Sequence, residues 1–230
     1  MKRTHLVKLI EAVQTKVPLE TVLIVGSQSA HALGSGEIPA VEASLEMDLL
    51  LVSGQFQYKA LIQVEFGEES AYFRQNGFFV HPIGIGIVSL PSGWEARLQA
   101  LRDESGRLVA RAVEIHDTLA AKIMAGREKD FDFLRQLLER NLCDFGTFLE
   151  RFLLLQSTPF GNAVPDRLSR LAACLQVWGR AELSQTVQSI SRASRQNTKE
   201  QQQDGTSGAP PAGELREEPP AYGTAETLSS

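Results

Sequence analysis

Leu6, Leu9, Ile10, Val13 and Val17 recur at steps of three and four residues. That spacing puts them on one face of an amphipathic helix, which Pro18 closes. The next run, TVLIV at 21–25, is apolar at successive positions and rich in β-branched side chains. It predicts a central strand covered on both faces. A short helix is expected in SQSAHAL, and Gly34, Gly36 and Pro39 mark a loop. LEMDLLLV at 45–52 reads as a second strand, and FQYKALIQVEF at 56–66 as a helix. GFFVHPIGIGIVSL at 77–90 reads as two short strands with a turn near Pro82 and Gly84. PSGWEARLQAL at 91–101 is a loop with a turn of helix, and RLVARAVEI at 107–115 alternates as a strand does.

From Asp117, a candidate N-cap, the period becomes helical and stays so to about residue 193. Pro159, Gly161 and Pro165 separate a helical pair from one long final helix. From Ser194 the chain turns to Gln, Ser, Gly, Pro and Glu, with almost no large apolar side chains. Such a stretch cannot bury a core and is expected to be disordered. No internal repeat is visible. The predicted class is α+β: a mixed sheet flanked by helices over 1–115, a helical region packing on it over 116–193, and a tail over 194–230.

Composition narrows this picture only a little. The chain of 230 residues is 43% hydrophobic and 22% charged, which is ordinary for a globular protein. A net charge of -5 excludes a basic field over the whole molecule, though not a local basic groove. Cys143 and Cys174 form no CxxC or zinc pattern and read as two buried thiols. Lys8 and Glu11 interrupt the apolar positions near the N-terminus, which argues against a signal peptide. No apolar run reaches the ~18 residues of a membrane span. The expectation is a soluble, cytoplasmic protein with no membrane partner.

Two short stretches carry chemistry. In the second strand Glu46 and Asp48 are two residues apart and so share a face. At ~7 Å and an effective dielectric of ~20, two carboxylates repel by roughly 2 kcal/mol. Either the acids sit at a solvated strand end, or a cation converts the repulsion into attraction. Magnesium suits the second case, because it takes carboxylate oxygens and keeps waters for a substrate phosphate. Gly26 and Ser27 follow the first strand. They fit a tight turn with Ser27 as N-cap, and equally a backbone that approaches a phosphate closely. The spacing is neither a Walker loop nor a G-x-G-x-x-G fingerprint.

EIHDTLAAKIMAGREKDFDFLRQLLE at 114–139 is the second stretch. Drawn as one helix from Leu119, its apolar arc also carries Arg127 and Asp130, with Lys122 and Lys129 beside it. An arginine and an aspartate on a core-facing stripe need partners. They are either an ion pair that anchors the helix, or an arginine that reaches a phosphate and an aspartate that orients it.

A strand, Gly-Ser, a helix and a second strand with acid-x-acid resembles the layout of the nucleotidyltransferase (polymerase beta-like) superfamily. GSQSAHA, EMDLLL, SLPSGWEARL and LAAKIMAGREKDFDFLRQLL together look like an uncharacterised prokaryotic nucleotidyltransferase-like family, related to abortive-infection toxins of toxin–antitoxin systems. The likeness spans roughly residues 20–155. It implies a nucleoside triphosphate bound by Gly26, Ser27, Lys122, Arg127 and Lys129. It also implies magnesium on Glu46 and Asp48, with Glu46, Asp48 and Asp130 as the catalytic acids. Transfer of a nucleotidyl group to an RNA or protein hydroxyl follows from it, with transfer RNA as the acceptor in the related toxins. Active members carry a third carboxylate on a later strand. Here that stretch offers only His81, read as a strand-turn residue, while Glu68 and Glu69 lie in the loop before it. The departure leaves a second reading open: a degenerate nucleotide-binding or toxin–antitoxin interaction module, docking on a partner protein. His31, near the Gly-Ser turn, is a further candidate for touching the nucleotide.

Overall fold

The computed structural model describes residues 1–34 and 38–204, with side chains through 196. In chain order the regular elements are α1 (Arg3–Lys16), β1 (Leu23–Val25), α2 (Pro39–Glu42), β2 (Glu46–Leu51), α3 (Lys59–Phe66), α4 (Ala71–Asn76) and β3 (Phe79–Gly84). There follow β4 (Gln99–Arg102), β5 (Leu108–Ala112), α5 (Ile115–Ala125), α6 (Glu128–Glu139), α7 (Phe145–Leu153), α8 (Val164–Val177) and α9 (Ala181–Asp204). The five strands form one mixed sheet in the order β3-β2-β1-β5-β4, flanked by helices and followed by a helical C-terminal region.

Burial explains the layers. Ile24, Met47, Leu49, Leu51, Val80 and Ala112 face the first side of the sheet and pack with Leu6, Leu9, Ile10 and Val13 of α1 and Ile62 and Phe66 of α3. The opposite face is narrower: Leu23, Val25, Leu50, Ile83, Trp94 and Val113 cluster there. A third core joins α5–α9, and Ala30, Ile38 and Val41 from the first half of the chain are buried in it. Both strand faces of β1 are therefore covered, as an unbroken apolar run requires.

Several local expectations are corrected. Pro82 and Gly84 do not form a turn between two strands: β3 runs through Pro82 in register with Leu49 of β2. A proline is tolerated there because β3 is the sheet edge, where its missing N–H faces no neighbour. The helix expected across 119–139 is two helices, broken at Gly126, which sits at φ 71° and ends α5. Asp117 is not the N-cap of α5. Glu114 is, accepting from the backbone N–H groups of His116 and Asp117, while the Asp117 side chain is fully buried against Arg97.

The single long final helix is likewise two, α8 and α9, parted at Gly179 with φ 74°. α9 also continues past Ser194 to Asp204, so the start of the expected tail is helical; its remainder, 205–230, lies outside the described residues. Both cysteines are only partly covered. No helix among the described residues is long and apolar enough to cross a membrane.

Candidate functional site

Strand directions assemble the site. β1 and β2 are antiparallel with Val25 opposite Asp48, so the turn that leaves β1 lies beside the start of β2. β3 is parallel to β2 and pairs Asp48 with His81. β5 is parallel to β1, so α5, which leaves β5, starts at the same sheet edge as the Gly-Ser turn. Two turns along α5, Lys122 reaches Ser27, with Nζ to Oγ at 3.5 Å.

The result is a cleft of about 1060 Å³. Gly26, Ser27, Glu46, Asp48, Lys122, Arg127 and Lys129, all expected as site residues, line it, and so does His81. The remaining expected residue, Asp130, is fully buried behind the wall. Its carboxylate accepts from Arg127 Nε at 2.8 Å and from Lys122 Nζ at 3.4 Å. Asp130 thus ties together two cations from two helices. The break at Gly126 makes this geometry: it lets Arg127 cap α6, with Asp130 returning to the Arg127 backbone N–H at 3.3 Å. The ion pair inferred from an i, i+3 stripe is present, but as a helix cap rather than as a pair inside one continuous helix.

Gly26 has φ 72° and ψ -155°, a conformation that only glycine adopts readily. A Cβ built there would collide with Asp48 Oδ2. The glycine therefore makes room for the acid, a role that the sequence spacing does not show. Ser27 opens a 3-10 segment, Ser27–Leu33. The N-cap position of this segment is Gly26, not Ser27, and no side chain caps it; the Ser29 hydroxyl donates to the Gly26 carbonyl at 2.7 Å, and Ser27 lines the cleft.

Three potential ligand atoms, from Glu46, Asp48 and His81, lie within 4.8 Å of one another. His81 Nδ1 stands 3.0 Å from Asp48 Oδ1, so the residue expected to be a turn histidine belongs to the site. Its signal was legible as the sole titratable side chain of the third strand; the false turn at Pro82 concealed it. Burial, and next the charge of Glu46, raise the Asp48 carboxyl above its ordinary range. Burial lowers Lys122, against the pull of Asp130 and Asp48 in the other direction. Hydrogen bonding to Asp130 raises Arg127, and Asp48 and Glu46 add to it.

Other candidates lie elsewhere. Glu68 and Glu69 are exposed in the α3–α4 connection and do not line the cleft. His31 turns away, its Nε2 3.1 Å from the Met1 carbonyl. His116 bridges Glu114 and the Asp144 backbone N–H, fixing the start of α5 to α7. Asp132, Gln136 and Arg167 line the cleft but lacked any sequence signal, because only the α5–α6 break and the approach of α8 bring them there.

The two carboxylates and the imidazole, beside a basic wall, form a candidate cation site. Comparison of the chain with family models, curated proteins and solved structures finds no match.

Proposed function

We propose that the protein transfers a nucleotidyl group from a nucleoside triphosphate to a hydroxyl acceptor on RNA or protein, with magnesium or a similar divalent cation at Glu46 and Asp48. One observation carries this reading. Two carboxylates that repel each other are held side by side at the Gly26 corner, and Lys122 and Arg127 line the same cleft. The donor atoms fit a hard or borderline divalent cation, since carboxylate oxygens dominate the set. Such a cation, when bound, would neutralise the acids and polarise the phosphoryl group.

The chain's own residues account for the rest. Gly26 permits the close approach of the acid. Lys122, with two long contacts at 3.4 and 3.5 Å, keeps donor capacity for a phosphate oxygen. Arg127 spends one edge on Asp130 and has the remainder of its fork exposed. Asp130 positions both cations and, being fully buried, does not meet the substrate. Its role in this reading is positioning rather than catalysis.

The test is incubation of the full chain with each α-labelled nucleoside triphosphate, magnesium and an RNA or protein acceptor pool. Release of pyrophosphate with label retained on the acceptor is expected, and both signals vanish in Asp48→Asn. Absence of both triphosphate binding and pyrophosphate release would sink the proposal. A second reading, a nucleotide-binding module without chemistry, is favoured by the presence of only two carboxylates in the cluster among the described residues. Triphosphate binding without pyrophosphate release would select it.

A further inference from the structure

We infer that His81 is a direct ligand of the cation, and that the site consequently prefers a transition ion such as manganese over magnesium. The inference rests on the cation site proposed above and concerns its third donor.

His81 and Asp48 are register partners on adjacent parallel strands, so both side chains leave the sheet on the same face. Glu46, two residues earlier, shares that face. Octahedral ligands at about 2.1 Å from a metal lie about 3 Å apart when adjacent and about 4.2 Å apart when opposite. The 3.0 Å between His81 Nδ1 and Asp48 Oδ1 is a hydrogen-bond length and also the length of such an edge. The 4.8 Å envelope of the three donors needs only small side-chain rotations to close on one ion.

Three features make coordination more than a coincidence of position. Asp48 is held against Gly26, so one donor is already fixed in place. The His81 side chain is 54% exposed, so the ring can turn without disturbing the core. The nitrogen that faces Asp48 is Nδ1, so Nε2 is left to hydrogen-bond to solvent, as the second nitrogen of a ligating imidazole can. Magnesium binds oxygen and seldom accepts an imidazole; manganese also prefers oxygen but accepts an imidazole more readily, and the later ions do so increasingly.

The experiment uses the full chain with manganese chloride or magnesium chloride alone. Free manganese is counted by electron paramagnetic resonance, and magnesium is measured by competition. Manganese affinity at least tenfold above that for magnesium is expected, with nitrogen modulation from one imidazole in the pulsed spectrum. His81→Ala should lose the nitrogen signal and about tenfold or more in manganese affinity, while changing magnesium affinity less than threefold. The pulsed measurement on the parent needs no variant, so it stands even if a substitution perturbs folding. Equal affinities without nitrogen modulation would overturn His81 as ligand while leaving a carboxylate-only site. Manganese binding unchanged in Asp48→Asn, or no binding of either ion, would overturn the cation site itself and the inference with it.

Discussion

Asp48 shows at the scale of one residue how the fold holds a costly group. Burial and Glu46 raise its carboxyl above the ordinary value. The folded chain therefore keeps a proton that the unfolded chain has already released, and stability falls as pH rises from about 3.8 through the raised value. In the presence of a chelator, Asp48→Asn should remove that loss and raise the melting temperature at pH 7, measured by calorimetry. Gly26→Ala should act in the opposite direction. Its backbone conformation costs about 1–3 kcal/mol for a residue with a side chain, and the added Cβ displaces Asp48. Urea unfolding should report the loss, and isothermal titration should show cation binding abolished. Asp130→Ala leaves Lys122, whose side chain is only 10% exposed, without its carboxylate. A loss of about 3 kcal/mol is expected, with weakened triphosphate binding; an unchanged urea midpoint would contradict the tie it is assigned.

The α5–α6 break is the element on which the site turns. Gly126 ends α5 in the left-handed region, and a Cβ there would stand 2.7 Å from Arg167 Nε. That guanidinium donates to the Met124 carbonyl at 2.8 Å, while Arg170 donates to the Gly126 carbonyl, so α8 caps the end of α5 with two arginines. Gly126→Ala should cost about 1–3 kcal/mol and move Arg127. Its fingerprint is reduced triphosphate affinity with cation affinity unchanged, read by titrating each ligand separately. Hydrophobic periodicity ran on through this break because the apolar arc is nearly continuous from Leu119 to Leu138. A glycine inside a helical pattern is tolerated often enough that it does not by itself announce an end. Pro82 misled in the other direction: it reads as a turn unless the strand is known to lie at an edge, and strand order is not local information.

The whole molecule couples the sheet half to the helical half. Ala30, Ile38 and Val41 are buried in the same core as α5, α7 and α8. Separate folding of 1–115 would expose them. The chain should therefore unfold in one cooperative transition. Trp94 belongs to the small core on the sheet, and Trp178 packs against the helical core, so each half has its own fluorescent probe. In Trp178→Phe, the emission of Trp94 should change at the same denaturant concentration as the far-ultraviolet circular dichroism. Two separated midpoints would show that the halves fold independently.

Residue pattern alone determined the α+β class, the strands at Leu23–Val25 and Glu46–Leu51, and the residue types of the site. Period-two and period-3.6 repeats are local and survive in any context. Tertiary structure decided what those residues do to one another. The antiparallel pairing of β1 with β2 sets Gly26 against Asp48, the edge position of β3 brings His81 to the acids, and the turn at Gly126 puts Asp130 behind Lys122 and Arg127. Each of these contacts joins residues whose meeting depends on strand order or helix ends, and neither is written in any single stretch of chain.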